Sequence, residues 1–419
     1  KNGKVFLSDG KFHDCALRFG AQVEEIGRVI NKYHFYTLTG NRLDTHYTLP
    51  KILWFKENLP EIYDRTRWFM NIKDYIYAHL TGRMGFTDYS DASLTTALDI
   101  NNRRWAAELL FDLGIDITRM PKLTAGHDVR GKITRNVYYR TGLITGTPVA
   151  IGGDGCRTAR GAGLADPGSA YTYIGSSAWV SQILDHPVLD PKARIFNYLD
   201  ADGKSCHVTS TVQTGAAAFD WALHNLLGSK EAPLDISRME NMARQIAPGA
   251  EGVLFLPTLM GSRTPYWDPN TRGVLMGFSL YHDQRHIARA IYEGIAMALS
   301  NCARIISDYG TPITSMMLAG GGARSGLWPD ILAACYDLTT RVHRAPGECT
   351  SLGAAILAGV GVGIFSSYED ATAIVSARST HPVNPVWQKA YSKVYPIYHD
   401  IYERVQPLND RIADLNLEV

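Results

Sequence analysis

The chain has 419 residues, and at about 150 residues per domain that length predicts two to three domains. Its 42 basic side chains balance 41 acidic ones, and a net charge of +1 excludes the polyelectrolyte surface that grips nucleic acid or an anionic membrane. Hydrophobic residues at 45% and charged residues at 20% exclude a disordered chain and predict a compact one with a large core.

The chain opens Lys1-Asn2-Gly3-Lys4 without a Met and without a signal-peptide pattern, an opening that need not be the natural beginning. To about Gly146 helical patterning dominates, and residues 50–58 and 68–80 read as amphipathic helices, the second ending at Thr81-Gly82. After Thr147-Pro148 the texture changes, which places a domain boundary near residue 150: residues 1–148, then residues 149–419. Val149-Ala150-Ile151 reads as a strand running into Gly152-Gly153, and residues 170–174 and 178–182 read as strands around the small trio Gly175-Ser176-Ser177. Residues 252–256 and 315–319 read as buried strands whose exposed ends can carry sites. Between them Ile287, Ile291, Ile295, Leu299, Cys302 and Ile306 recur at helical spacing up to Gly310, a pattern that core packing explains in full. Residues 384–405 read as a helix entered at Pro385 and kinked at Pro396. Strands alternating with helices predict an α/β protein.

The six cysteines lie far apart with neither C-x-x-C nor zinc-type Cys/His spacing, which fits a reducing cytosol. The most apolar run, residues 352–365, is shorter than the roughly 20 residues of a membrane helix and is broken by Gly353, Gly359, Gly361 and Gly363.

Three glycine-rich turns stand out. Gly320-Gly321-Gly322-Ala323-Arg324-Ser325 joins a predicted strand to a predicted helix, where glycines admit a ligand to the backbone and Ser325 can cap the helix. It matches neither G-x-x-x-x-G-K-[ST] nor G-x-G-x-x-G, and a tight turn needing positive φ explains it equally well. Gly175-Ser176-Ser177 would set backbone N–H groups and two hydroxyls at a hairpin tip, as a phosphate nest or as an ordinary hairpin. Asp154, in Gly152-Gly153-Asp154-Gly155, would project from a strand end with little bulk around it, a good place for a base and also a common turn. Ser262-Arg263-Thr264-Pro265-Tyr266-Trp267-Asp268-Pro269 would either wall a sugar or close a loop. The histidines suggest no Ser/His/Asp set, and Cys156 has no evident base, so covalent hydrolase chemistry is not indicated.

The order of these segments carries more than any one of them. Gly152-Gly153-Asp154, Tyr173-Ile174-Gly175-Ser176-Ser177, Gly261 through Pro269 with Arg272-Gly273-Val274, Gly320 through Ser325, and Ser351-Leu352-Gly353-Ala354-Ala355 together resemble the FGGY carbohydrate kinases, and within them the xylulose kinase branch. Pro50-Lys51-Ile52-Leu53-Trp54 with Glu57-Asn58 fits the family's first signature, and residues 273–293 approximate the second, with Phe278 where an aliphatic residue is usual. The resemblance runs from about Leu49 to Phe365.

It implies an actin-like ATPase (ribonuclease H-like) fold of two α/β domains around a cleft, with sugar deep inside and ATP held mainly by the second domain. It makes Asp154 the catalytic base and gives Mg²⁺, reached by Asp154 through water, the task of offsetting phosphate charge. It puts Gly175, Ser176 and Ser177 by the transferred phosphate, and Gly215, Gly320, Gly321, Gly322 and Ser325 by the rest of the nucleotide. Asp9, Asp154, Gly155 and Arg263 fall to the sugar, Asp9 through a loose match of Ser8-Asp9-Gly10-Lys11 to a domain I stretch. A cytoplasmic enzyme, commonly a homodimer, is implied as well. The family's opening Asp-x-Gly-Thr phosphate hairpin and its Met-His pair are not found; the chain starts after them or has lost them. Gly155 replaces a usual Asn that would touch sugar, and Ser176 replaces a usual Thr while keeping the hydroxyl. The leading expectation is ATP-dependent phosphorylation of a ketopentose such as D-xylulose at a primary hydroxyl. The alternatives are a degenerate sugar- or nucleotide-binding protein of the same fold and a kinase for glycerol or another polyol.

Overall fold

A computed structural model describes residues 18–415, so Asp9 lies outside the described residues. The chain forms two compact units, one of residues 18–153 with Phe196–Cys206 and one of Asp154–Ile195 with residues 207–415. The sequence reading carried residues 196–206 with the second domain. In the structure they pack in the first unit, because Asn197 donates its backbone and side-chain N–H groups to the Gly40 carbonyl at 3.1 and 2.9 Å. The Asn197 carbonyl accepts from the Asn41 side chain at 2.9 Å, and Leu199 N–H reaches the Ser93 hydroxyl at 3.0 Å. Gly40, at φ 71°, ends the helix Lys32–Thr39 and leaves that space open: a Cβ there would stand 2.9 Å from Asn197 and from Ile100.

Helices dominate the first unit. Thr48–Asn58 turns Leu49, Ile52 and Leu53 into a core with Ile26, Phe35, Leu109, Leu110 and Leu113. Ile72–Thr81 starts later than residues 68–80 suggested, because Asn71 begins it and Asp74, one turn in, accepts the Asn71 backbone N–H at 3.1 Å. Phe86–Asp88 pairs in parallel with Lys122–Thr124, and Pro148–Val149 pairs with Gly131–Lys132.

On the helix Gly20–Val29, Glu25 hydrogen-bonds the Glu57 carboxyl, which also accepts from Gln22 at 2.6 Å. That shared hydrogen bond, then burial, raises the Glu25 pKa to about 7, while the same bond holds Glu57 low. An acid raised on folding contributes stability that is full below its unfolded pKa of 4.5 and is lost as pH climbs through about 7. Glu25→Gln, which keeps a donor for Glu57 at every pH, is therefore expected to melt higher than the parent at pH 8 and together with it near pH 4. Parallel melting curves at the two pH values, with one constant offset, would rule this out.

The second unit is built on a mixed sheet in the order Ala377–His381, Thr340–His343, Ser315–Ala319, Ser169–Ile174, Ala178–Leu184, Cys206–Val212. The three central neighbours Thr340–His343, Ser315–Ala319 and Ser169–Ile174 run parallel, and antiparallel strands flank them at Ala377–His381 and Ala178–Leu184. Ser315–Ala319 and Ser169–Ile174 are buried over most of their length, as strands covered on both faces are. The helix Gln284–Tyr309 covers the sheet, with Ile291, Ile295, Leu299, Cys302 and Ile306 buried and Gly310 at its end. Within it Arg289 and Glu293, both almost fully buried, pair at 2.5 Å and both bond the Tyr391 hydroxyl.

Tyr391 belongs to the helix Pro385–Ala413, which runs on through Pro396 and Pro407 instead of stopping near residue 405. Each interior proline costs about 3 kcal/mol, but the helix buries Tyr391, Tyr398, Ile401 and Tyr402 on the core, at about 1.5–3 kcal/mol for each large side chain. No helix among the described residues is long and apolar enough to cross a membrane.

Candidate active site

In the first unit a cluster of charges gathers beneath the glycines that precede Asp154. Lys73 Nζ lies 2.5 Å from Asp74, 2.9 Å from Asp88 and 3.5 Å from Asp91. Burial alone would lower the Lys73 pKa, but the carboxylates of Asp88, Asp74 and Asp91 outweigh it and hold the ammonium far above its ordinary range. Asp74, itself buried, is raised by that burial against the pull of Lys73. Asp88, fully buried, caps the helix Tyr89–Leu94: its Oδ2 accepts the Ser90 N–H at 3.2 Å and the Ser90 hydroxyl at 2.5 Å. The same oxygen accepts the N–H of Gly153 at 3.2 Å. A Cβ on Gly153 would stand 2.3 Å from Ser90 Oγ and 2.8 Å from Asp91 Oδ1, so any side chain there would push both groups aside.

Sequence reasoning missed this cluster. Its one local signal is the Asp88-x-Ser90 cap; the pairing with Gly153, 65 residues away, is tertiary.

In the second unit Asp154 is the exposed first residue of the helix Asp154–Gly161, with the half-exposed Gly155 next to it. Its carbonyl accepts the Thr158 hydroxyl at 2.9 Å, and Thr158 meets the Thr350 hydroxyl at 2.7 Å. The helix lies backbone to backbone on Cys349–Gly361: a Cβ on Gly161 would fall 1.7 Å from the Cys349 carbonyl oxygen, and one on Gly353 1.7 Å from that of Arg157. The Ser351-Leu352-Gly353-Ala354-Ala355 motif is thus the bearing surface for the helix that begins with Asp154.

The turn Gly175-Ser176-Ser177 joins Ser169–Ile174 to Ala178–Leu184, with both serines exposed. Its carbonyls cap the helix Ala216–Asn225: Gly175 O accepts from Ala216 N–H at 2.8 Å, and Ser176 O from Gly215 and Ala217 at 2.9 and 3.1 Å. Gly215 is required there, since its Cβ would stand 2.6 Å from the Ala178 Cβ.

At the end of Ser315–Ala319, Gly320 takes φ +85° with a virtual Cβ 2.6 Å from the Ile174 carbonyl oxygen, and that of Gly322 would stand 2.4 Å from Ile174 Cγ2. The exposed Gly321 has nothing within 4 Å of such an atom. Packing therefore accounts for the first and third glycines and leaves open space at the second. The Ser325 hydroxyl caps the next helix, accepting from Leu327 and Trp328 N–H at 3.0 and 3.1 Å while donating to Glu240 at 2.8 Å.

The loop around Arg263 closes on itself through reciprocal Ser262 and Asp268 backbone bonds of 2.8 and 2.9 Å. Tyr266 stacks on Tyr402 with ring centroids 3.7 Å apart, and Asp268 accepts from Thr271 and Tyr402. Arg263 stays half-exposed, its guanidinium 5.7 Å from the Trp267 ring centroid.

These pieces acquire a shared meaning from known proteins. The model of the FGGY family of carbohydrate kinases, N-terminal domain, matches residues 14–161, and that of its C-terminal domain matches residues 170–362. The chain belongs to the FGGY family of carbohydrate kinases. This kinase is 31% identical to the xylulose kinase of Bacillus subtilis (strain 168) over 380 residues, 90% of this chain and 74% of that one. Two solved structures from Lactobacillus acidophilus superpose closely at 25% identity. The gluconate kinase gives a TM-score of 0.85 with 94% of this chain and 78% of that one covered, and the ligand-bound xylulose kinase gives 0.86 with 95% and 80%. The kinase thus has the mixed α/β, actin-like ATPase architecture that its motif order implied.

One expectation about side-chain sets needs correction. A hydrogen-bonded Ser/His/Asp trio does exist: Ser379 Oγ meets His381 Nε2 at 3.0 Å, and His381 Nδ1 meets Asp330 at 2.6 Å, tying the edge strand Ala377–His381 to the helix Trp328–Tyr336. It was illegible because Asp330 lies 51 residues from His381. Among the described residues no group of three or more His, Cys, Asp or Glu side chains could hold a metal ion.

Proposed function

We propose that this carbohydrate kinase transfers the γ-phosphoryl group of ATP to a primary hydroxyl of a ketopentose, D-xylulose first, with Asp154 as the general base. The observation that supports this most is the 31% identity with a xylulose kinase across 90% of the chain. Asp154 suits the role: it is exposed at a helix start, next to the half-exposed Gly155. Phosphoryl transfer depends on positioning and charge neutralisation, and one carboxylate orients the attacking hydroxyl and takes its proton. Gly155 and the half-exposed Arg263 are proposed as sugar contacts, and so is Asp9.

For ATP, Gly175, Ser176 and Ser177 offer an exposed hairpin tip to the transferred phosphate, with Gly215 holding that tip to its helix. Gly320, Gly321 and Gly322 are proposed to pass the adenosine, with backbone access at the open Gly321 and Ser325 shaping the turn. Mg²⁺, when bound, offsets the phosphate charge, and Asp154 would reach it through water. The enzyme is proposed to work in the cytoplasm, with a homodimer as its assembly.

A second reading, gluconate as acceptor, is favoured by the TM-score of 0.85 with a gluconate kinase. ADP release from MgATP, measured on the full-length protein with D-xylulose, gluconate, glycerol and a set of aldoses, separates the readings. The expected result is the highest kcat/KM with D-xylulose. A preference for gluconate or glycerol would replace the substrate assignment, and no sugar-dependent release from a folded, ADP-binding protein would sink the kinase reading for this chain.

A further inference from the structure

We propose that Asp88 is a positioning residue for the phosphoryl transfer, acting through the Gly153 amide on the peptide from which Asp154 departs. The inference rests on the reading of Asp154 as the base.

Asp88 is fully buried, and a carboxylate withdrawn from water is costly unless its lone pairs are engaged. Oδ2 serves the Ser90 N–H, the Ser90 hydroxyl and the Gly153 N–H, and Oδ1 faces Lys73 at 2.9 Å. Capping the helix Tyr89–Leu94 needs only the Ser90 bond. The bond to Gly153 and the partly buried Lys73, itself flanked by Asp74 and Asp91, lie beyond what a cap requires. Gly153 is held from both sides, by Asp88 on its N–H and by Ser90 and Asp91 where a side chain would go.

Consecutive Cα atoms are about 3.8 Å apart, so a fixed Gly153 confines the Cα of residue 154 to that radius. Displacing a reacting group by about 1 Å costs about 100-fold in rate. Lys73 completes the device by standing 2.9 Å from the other oxygen of Asp88, beside the carboxylates of Asp74 and Asp91.

The test uses Asp88→Asn, which keeps the shape of the side chain and removes its charge. On the full-length protein, kcat and KM for MgATP and for the best acceptor sugar are measured together with the stoichiometry of ADP binding by calorimetry. The expected result is a fall in kcat per ADP-binding site of about 10- to 100-fold, with both KM values within about threefold of the parent. A merely structural role would lower the number of ADP-binding sites and leave kcat per site unchanged, and that outcome overturns the proposal.

If Asp88→Asn does not fold, Ser90→Ala removes one bond to the same oxygen and is measured in the same way. An unchanged kcat per site then overturns the proposal as well. Asp154→Asn in parallel separates the two claims. Full turnover there ends the base assignment and this inference together, whereas an inactive Asp154→Asn beside a parental Asp88→Asn ends this inference alone.

Discussion

Replacing Asp154 with Asn is expected to lower sugar-dependent ADP release by on the order of 10²- to 10⁴-fold, the usual contribution of a general base. ADP affinity and the melting temperature should hold, because Asp154 is exposed and it is its backbone carbonyl that receives the Thr158 hydroxyl. The amide is isosteric with the carboxylate, so a sugar should still bind, and the loss should fall on kcat and not on KM. Turnover within tenfold of the parent would move the base elsewhere and leave Asp154 as a helix-start residue.

Gly353→Ala should fail for a different reason. The added Cβ would sit 1.7 Å from the Arg157 carbonyl oxygen, in the contact where Asp154–Gly161 and Cys349–Gly361 lie backbone to backbone. Backbone cannot swing aside as a lysine tip does, so the helices must part. A cost of about 3 kcal/mol or more is expected, at the upper end for overpacked sites, read as a lower denaturation midpoint or as insoluble protein. Gly321→Ala is the companion measurement, since nothing lies within 4 Å of the new methyl, and it should melt with the parent. If Gly353→Ala melts with the parent too, the close helix contact does not exist in solution.

What the sequence disclosed was local. The Gly175-Ser176-Ser177 turn, the glycine run at 320–322 and the helix ending at Gly310 each announce themselves within one unbroken stretch of chain, because turn chemistry and apolar period are local properties. The same locality hid the rest. Asp88 and Gly153 touch across 65 positions, and Ser379, His381 and Asp330 meet only because a sheet edge returns beside a helix. Gly353 was visible as part of a motif, but its reason lies in Arg157, which no period connects to it. The terminal helix outran its predicted end because proline propensity is a local cost, whereas the burial of Tyr391, Tyr398, Ile401 and Tyr402 is a tertiary gain.

The backbone passes from one unit to the other at residues 153–154, again at 195–196 and back at 206–207. Neither half of this kinase is therefore a cassette that a single cut could release. A fragment beginning at Asp154 would carry Asn197 and Leu199 away from Gly40, Asn41 and Ser93, and a fragment ending at Gly153 would lack the segment that covers them. Recombination between relatives at the obvious boundary would splice mismatched versions of that excursion, so chimaeras should need residues 196–206 to travel with the amino-terminal parent.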